Sequence, residues 1–460
     1  MSAPPGSRKP HRGPRPDQPR RAAYDVLAAV REKDSYANLV LPKLLRDRRI
    51  VGRDAAFATE LAYGTLRAQG TLDAILAACV DRPLDTVDGA VRDLLRLGAY
   101  QLLRTRVPAH AAVSSTVDLA RTVSTAGPAK FVNAVLRKVG AHDEPGWIEL
   151  LAPSVETDPI GALALRHAHP RWIAQAFADA LGGDISETAD ALAADDQRPS
   201  VHLAARPGRM TREQLVADSG GSPGPWSPLA VRLDDGGDPG GLTAIRDGTA
   251  QVQDEGSQLV ALALAGAVID GEDGQWLDLC SGPGGKAALL GALAAQRQAT
   301  LTAVEVSEHR AALVRQATAG LPVEVRVGDG RHAEGRYDRV LVDAPCTGLG
   351  ALRRRPEARW RRQPSDVPNL TRLQGELLTA AVGLTRPGGV IAYAVCSPHL
   401  AETRVVVDDV IRSGSATALD VRATLPELPA LGDGPYVQLW PHRHGTDAMF
   451  LALLSPAPRS

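Results

Sequence analysis

From Gln251 onward, short apolar runs, β-branched in places, alternate with helix-periodic runs, and that alternation leaves few folds open. The short runs are QWLDLC (275–280), TLTAVEV (300–306), VEVRVGD (323–329), YDRVLVDAP (337–345) and GGVIAYAVCS (388–397). Helical patterns such as SEHRAALVRQATAG and AETRVVVDDVIRS separate them. Strands alternating with helices predict a parallel, doubly wound sheet. Such sheets bind ligands beyond the carboxyl ends of their strands. Chemically capable residues fall at those ends: Cys280, Glu305, Asp329, Asp343, Cys346 and Cys396.

The first half reads differently. Residues 1–21 are rich in Pro, Arg and Gly without periodicity, which predicts a disordered basic tail. Residues 22–142 place apolar residues at helical spacing in RAAYDVLAAV, RDAAFATELAYGTLRA, TLDAILAACV and VRDLLRLGAYQLLRT, so an all-α domain is expected. Cys79 lies on an apolar face there and reads as a buried thiol, and His110 and His169 read as packing or capping residues. A linker-like stretch, GAHDEPGWIELLAPSVETDP, follows. Residues 145–245 read as a small α/β connecting module whose Gly/Pro-rich 219–241 is mostly loop, and residues 246–460 form the α/β domain.

The chain of 460 residues has a net charge of -1, but residues 1–140 carry +10 and the remainder -11. A basic first half beside an acidic second half points to a polyanionic partner. Four dispersed cysteines with no Cys-x-x-Cys pair argue against a disulfide framework and a structural zinc site. No apolar run is long enough to span a bilayer and no secretory h-region follows the basic N-terminus, so no membrane contact and a cytoplasmic location are expected.

LDLCSGPGGKAALL reads as strand, glycine turn and helix. Its glycines allow close backbone approach to a ligand, and the helix start offers free N–H groups to an anionic group. Glu305 can accept two ribose hydroxyls and Asp329 can reach an adenine edge, which together suit an adenosine-type ligand. Gly282, Gly284 and Ala287 also satisfy G-x-G-x-x-A, so a dinucleotide-dependent oxidoreductase is a rival. The cysteines on the fourth and fifth strands argue against it. A thiolate adds to electron-poor carbon and can later be expelled. Added at carbon 6 of cytosine, it makes carbon 5 able to take a methyl group from a sulfonium donor. That chemistry needs a nucleophilic Cys, an acid at ring nitrogen 3 and a base, and Asp343, Cys346 and Cys396 suit those needs.

LDLCSGPGGKA, VLVDAPCTGLG, YAVCSPHLAET and GTDAMFLALL resemble the motifs of the RNA cytosine-C5 methyltransferases, the NOL1/NOP2/Sun family. RDAAFATELAYGTLR, VPAHAAVSSTVDLA and FVNAVLRKVG resemble the NusB-type RNA-binding helical domain. Their fusion over residues 20–455 is similar to the bacterial small-subunit ribosomal RNA methyltransferases of the Sun type. The resemblance implies a multidomain fold: an all-α NusB-like domain, the connecting module, and a Rossmann-like class I methyltransferase domain. It implies Cys396 as nucleophile, Cys346 as the residue that assists release, and Asp343 as the contact to cytosine N3. It implies S-adenosyl-L-methionine held by Cys280, Ser281, Gly282, Pro283, Gly284, Gly285, Lys286, Glu305, Asp329 and Asp343. Two departures stand out: CSPHLAETR where the family has Cys-Ser-x-x-x-x-Glu-Asn-Glu, and CSGPGG where Ala-x-Pro-Gly-Gly is common.

ALRRRPEARWRR stays basic within the acidic half, so Arg353, Arg354, Arg355, Arg359, Trp360, Arg361 and Arg362 are expected to contact RNA. The target base must be unstacked to be reached, which favours single-stranded loops. The expected activity is 5-methylcytosine formation in 16S ribosomal RNA, with no metal and no obligate protein partner. Transfer RNA as substrate, and a non-catalytic RNA-binding assembly or antitermination factor, are the alternatives.

Overall fold

The computed structural model describes residues 17–123, 126–233, 239–425 and 427–457. Two compact units divide the chain: Met1–Asp158 with Leu165–Ala168, and Pro159–Ala164 with His169–Ser460.

Helices α1 (Gln18–Lys33), α2 (Ala37–Asp47), α3 (Gly52–Arg67), α4 (Gln69–Cys79), α5 (Gly89–Arg104), α6 (Ala109–Val123), α7 (Ala126–Val139) and α8 (Glu144–Leu151) build the first unit. Their apolar faces meet in one core that includes Leu61, Leu72, Leu94, Val132, Leu136 and the buried Cys79. Helices α3 and α5 approach closely, because a Cβ on Gly64 would lie 2.1 Å from the Tyr100 ring. The helical unit starts earlier than the sequence reading places it. Asp17 accepts the Arg20 N–H at 3.1 Å and Pro19 sits in the first turn, so residues 17–21 are capped helix rather than tail. Residues 1–16 of that expected tail lie outside the described residues. The unit also ends later. Part of the linker-like stretch is α8, where Asp143 caps the helix and Trp147 is buried with its Nε1 donating to Val139 O at 2.9 Å. Several arginines of this positive half are spent internally: Arg31 on buried Asp93 at 2.8 Å and Arg96 on Asp73 at 2.7 Å.

The second unit takes up the start of α9 (Pro159–Arg166), then α10 (Arg171–Ala180) and α11 (Ile185–Asp196). Strand β1 (Val201–Ala205), α12 (Arg212–Ser219), β2 (Ser222–Pro223), β3 (Ala230–Leu233), α13 (Thr243–Arg246) and β4 (Ala250–Val252) follow. The strands form an antiparallel sheet in the order β2-β3-β1-β4. The Gly/Pro-rich stretch therefore holds two strands that its composition hides, and the module's sheet closes at Val252 rather than 245.

Beyond it come α14 (Glu255–Gly266), β5 (Gln275–Asp278), α15 (Gly285–Gln296), β6 (Thr300–Glu305), α16 (Glu308–Ala317), β7 (Val323–Val327) and β8 (Tyr337–Asp343). Then follow α17 (Ala358–Arg361), α18 (Val367–Leu384), β9 (Thr385–Val395), α19 (Arg404–Arg412), β10 (Ala416–Leu419), β11 (Val437–Gln438), α20 (Pro441–His444) and β12 (Phe450–Pro456). The sheet order is β10-β12-β9-β8-β5-β6-β7, with β11 on β12. Strands β5 to β9 run parallel, and β12 is antiparallel to β9. Alternation divides the side chains between two cores. Leu341, Ala392 and Ala394 face the core under α14 and α15, whereas Val340, Val342, Ile391 and Tyr393 face the one under α18 and α19. Strand order reverses between β5 and β8, so the carboxyl ends of those two strands flank the crevice where such sheets bind ligands. Among the described residues no helix is long and apolar enough to cross a membrane.

Candidate active site

Strand β5 ends on Asp278, which is fully buried. One carboxylate oxygen accepts the Cys280 N–H at 3.2 Å, and the other has no partner among the described residues. Burial, and then the nearby Asp343 charge, raise its pKa to about 7. Cys280 packs at the edge of the core, and burial pushes its thiol up, which suits a packing role. Ser281 anchors the turn, its N–H and hydroxyl both donating to Val304 O at 3.0 Å.

The glycines that follow are required by the geometry. Gly282 N–H donates to Glu305 Oε2 at 3.0 Å, and a Cβ at Gly282 would lie 2.2 Å from that oxygen. Pro283 follows through a cis peptide bond. Gly284 has φ 112°, in the left-handed region, and caps α15, which starts at Gly285. Glu305 ends β6 almost fully buried, its other oxygen accepting Ser307 N–H at 3.0 Å. Arg310, which the sequence reading passed over, donates to Gly282 O and lies 3.6 Å from Glu305. Asp329 sits beyond β7, where hydrogen bonds from the Arg331 side chain and then its N–H hold the carboxylate down at about 2.

Gln253 is a second residue that the sequence analysis did not single out. It leaves β4 and lies over the glycine turn. Gln251 Nε2 bridges Gln253 Oε1 at 2.7 Å and Gly285 O at 2.9 Å, which fixes the Gln253 amide. Gln253 Nε2 is then buried without a partner among the described residues, 3.9 Å from where a Gly285 Cβ would sit. An oriented, unpartnered donor at a helix N-terminus suits an anionic ligand group.

Strands β8 and β9 bring the other predicted residues together. Asp343 closes β8 and receives Lys286 Nζ at 2.8 Å. Burial pulls the Lys286 ammonium down, but Asp343 outweighs it and holds the pKa above the ordinary value. Cys346 Sγ lies 3.5 Å from Cys396 Sγ, hydrogen-bond range for two thiols and too long for a disulfide. Ala344 N–H to Ala394 O and Gly350 N–H to Cys396 O, each 2.9 Å, lace the two strand ends. The hydrogen bond shifts the two thiols in opposite directions. The Cys346 hydrogen bond lowers the Cys396 thiol, against its burial and with help from Lys286, while Cys346 is pushed up by the same bond and by burial. Cys396 is thus the better thiolate.

The basic stretch after Cys346 needs correction. Arg353 is buried and bonds Asp447 at 3.1 Å and Gly445 O at 2.8 Å. Arg354 reaches Asp254 at 2.6 Å and Asp447 at 2.9 Å. Arg359 is fully buried and bonds Asp196 at 2.8 Å and Asp195 O at 2.9 Å. Burial takes Arg353 and Arg359 away from the surface on which RNA contact was expected, while Arg354 is half-buried and ion-paired. Arg355 is exposed, whereas Trp360, Arg361 and Arg362 are half-buried. Arg362 Nε donates to Thr347 O at 3.1 Å, beside Cys346.

Known proteins bear on this arrangement. Residues 267–455 match the family described as 16S rRNA methyltransferase RsmB/F, and residues 17–141 match the NusB family. A putative methyltransferase of Mycobacterium tuberculosis is 60% identical over 453 residues, covering 98% of this chain and 99% of that protein. Ribosomal RNA small subunit methyltransferase B of Salmonella paratyphi C is 32% identical over 420 residues, covering 89% and 92%. The crystal structure of PH0851 superposes with a TM-score of 0.79 at 21% identity, covering 96% of this chain and 99% of that one. NSun6 from Pyrococcus horikoshii with SFG gives 0.53 at 18% identity, covering 63% and 99%.

The donor set fits S-adenosyl-L-methionine: Glu305 for a ribose diol, the glycine turn for close backbone approach, and the Gln253 amide for the methionine carboxylate. A NusB-type helical unit, a sheet of this topology and relatedness along nearly the whole chain lead to one conclusion: the chain belongs to the RsmB/F family of S-adenosyl-L-methionine-dependent RNA methyltransferases.

Proposed function

We propose that this chain methylates carbon 5 of a cytosine in 16S ribosomal RNA through a covalent link to Cys396. The carrying observation is the pair of thiols 3.5 Å apart beside the Lys286–Asp343 ion pair at the switch point of the sheet. The name of the Salmonella paratyphi C relative supports the ribosomal substrate. Bound S-adenosyl-L-methionine supplies an electrophilic methyl group on a sulfonium. Cys396, favoured as thiolate, adds to carbon 6 of the ring, and its electron pair becomes the new C–S bond. Lys286 orients Asp343 through its 2.8 Å hydrogen bond, and Asp343 serves the N3 edge of the base as the acid. Carbon 5 gains the displaced π electrons and takes the methyl group, whose bond to the sulfonium breaks with its electron pair left on sulfur as the neutral thioether. Cys346, its own proton passed to solvent, then removes the carbon 5 proton. The C–H pair re-forms the ring double bond and Cys396 departs as thiolate. Arg355, Trp360, Arg361 and Arg362 and the helical unit serve RNA contact, and the thiols stay reduced in the cytoplasm.

Removing Cys346 should trap the enzyme on its RNA. Cys346→Ala and Cys346→Ala/Cys396→Ala are incubated with 16S RNA and S-adenosyl-L-methionine and run on a denaturing gel. A slow, RNase-sensitive band in the single variant that vanishes in the double is the expected result. No band from the single variant beside an active wild type would refute the roles. An inactive wild type on ribosomal and transfer RNA alike would favour a non-catalytic binding factor.

A further inference from the structure

We infer that Glu402 is the positioning residue that keeps the Cys346 loop in place for product release, a role that rests on the reading of the two cysteines above. Glu402 ends a short 3-10 turn, Leu400–Glu402, six residues beyond Cys396, and is fully buried. Its carboxylate accepts the Thr347 N–H at 2.7 Å, the Thr347 hydroxyl, the Ser397 hydroxyl at 2.7 Å and Gln374 Nε2 at 3.2 Å. All four donors are neutral. A buried carboxylate is tolerated only when its oxygens are satisfied in this way. Thr347 directly follows Cys346, and Ser397 directly follows Cys396. Gln374, on α18, also donates to Pro345 O at 2.8 Å.

The two cysteines depend on Glu402 unequally. Cys396 is fixed by its backbone: it follows Val395, which pairs with Phe450 of β12, and its carbonyl accepts Gly350 N–H. Cys346 lies beyond the last ladder pair of β8, Asp343 with Ala394. Of the four Glu402 contacts, two run to Thr347, and a third runs to the glutamine that holds Pro345. Loss of the carboxylate therefore loosens Cys346 while Cys396 keeps its place. Attack needs Cys396. Release needs a base at the carbon 5 proton: that C–H bond breaks, its pair re-forms the double bond, and the carbon 6–sulfur bond breaks with its pair returning to Cys396. A loosened Cys346 slows this step most, because attack loses only the hydrogen bond that favours the Cys396 thiolate whereas release loses its base.

Glu402→Gln, Glu402→Ala and Thr347→Val are compared with wild type and Cys346→Ala on 16S RNA with S-adenosyl-L-methionine. Covalent adduct on a denaturing gel, turnover, and S-adenosyl-homocysteine affinity by calorimetry are measured. The expected result is turnover lowered about tenfold or more, an RNase-sensitive adduct well above wild type, and unchanged S-adenosyl-homocysteine affinity. A purely structural defect would lose adduct and turnover together. Turnover lost without adduct, or turnover unchanged, overturns the inference wherever Cys346→Ala does form its band. Absence of that control band sinks the reading of the cysteines, and this inference with it. Where Glu402→Ala fails to bind S-adenosyl-homocysteine, Thr347→Val, which removes only a hydroxyl donor, decides by the same criteria.

Discussion

Gly282 has no room for a side chain: an added Cβ would sit 2.2 Å from Glu305 Oε2 and 2.8 Å from Arg310 Nε. Gly282→Ala must displace the buried acid from the position in which it would hold ribose. S-adenosyl-homocysteine affinity should fall about tenfold or more, about 1.4 kcal/mol, by titration calorimetry. Unchanged affinity would show that Glu305 does not hold the ligand. Lys286 acts on the thiol side of the same pocket. It helps lower the Cys396 thiol, whereas Asp343 acts to raise it. Lys286→Met leaves only the Cys346 hydrogen bond against Asp343 and burial, and the Cys396 pKa should rise. The midpoint pH for iodoacetamide alkylation of Cys396, followed by peptide mass spectrometry, should move upward, and a downward move would contradict this electrostatic account.

A segment's composition fixes its charge but not its exposure, and the stretch from Arg353 to Arg362 separates the two. Arg359 is enclosed between Asp195 and Asp196 of α11, while Arg355 is exposed. Breaking a buried ion pair from one side costs about 3–5 kcal/mol, and an exposed substitution about 0.5 kcal/mol or less. Arg359→Met should thus lower thermal stability strongly, and Arg355→Ala should leave it unchanged while weakening RNA binding and flattening its salt dependence. Denaturation curves with filter binding at two salt concentrations separate these outcomes. Equal melting temperatures for the two variants would refute the distinction. This segment also marks where sequence reasoning stops. The strand ends were readable because each closes a short apolar run with a chemically distinctive residue, so Glu305, Asp343, Cys346 and Cys396 could be picked out locally. The acids that absorb Arg353, Arg354 and Arg359 lie more than 90 positions away in sequence, and no local pattern announces them. Glu402 was within reach, since it stands in the quoted motif CSPHLAET, but its purpose appears only when Thr347 and Ser397 meet it.

The second unit as a whole carries buried ionisable groups whose balance sets its pH response. Burial raises Asp195 to about 8 and Asp278 to about 7, and lowers His202 to about 4. In the unfolded chain each carboxyl ionises near pH 4, while in the native state it keeps its proton up to the raised value. The native state therefore binds more protons across that window, and stability falls as pH rises, by about 1.4 kcal/mol per pH unit for each group. His202 works in the opposite sense. Its unfolded imidazole charges below about 6.5 while the native one stays neutral, so stability rises from pH 4 to about 6.5 and is level above. Two carboxyls outweigh one imidazole below 6.5 and act unopposed by it above. The ligand-free protein should accordingly melt at a lower temperature at pH 8 than at pH 6, with the steepest decline between about 6.5 and 7. Asp278→Asn should remove the part of the decline that ends near pH 7, and Asp195→Asn the part that continues to pH 8. Differential scanning calorimetry at half-unit intervals reads both. A melting temperature that rises from pH 6 to pH 8 would mean that these carboxyls ionise in the folded chain, with nearby groups such as His169, 3.6 Å from Asp195, offsetting their burial.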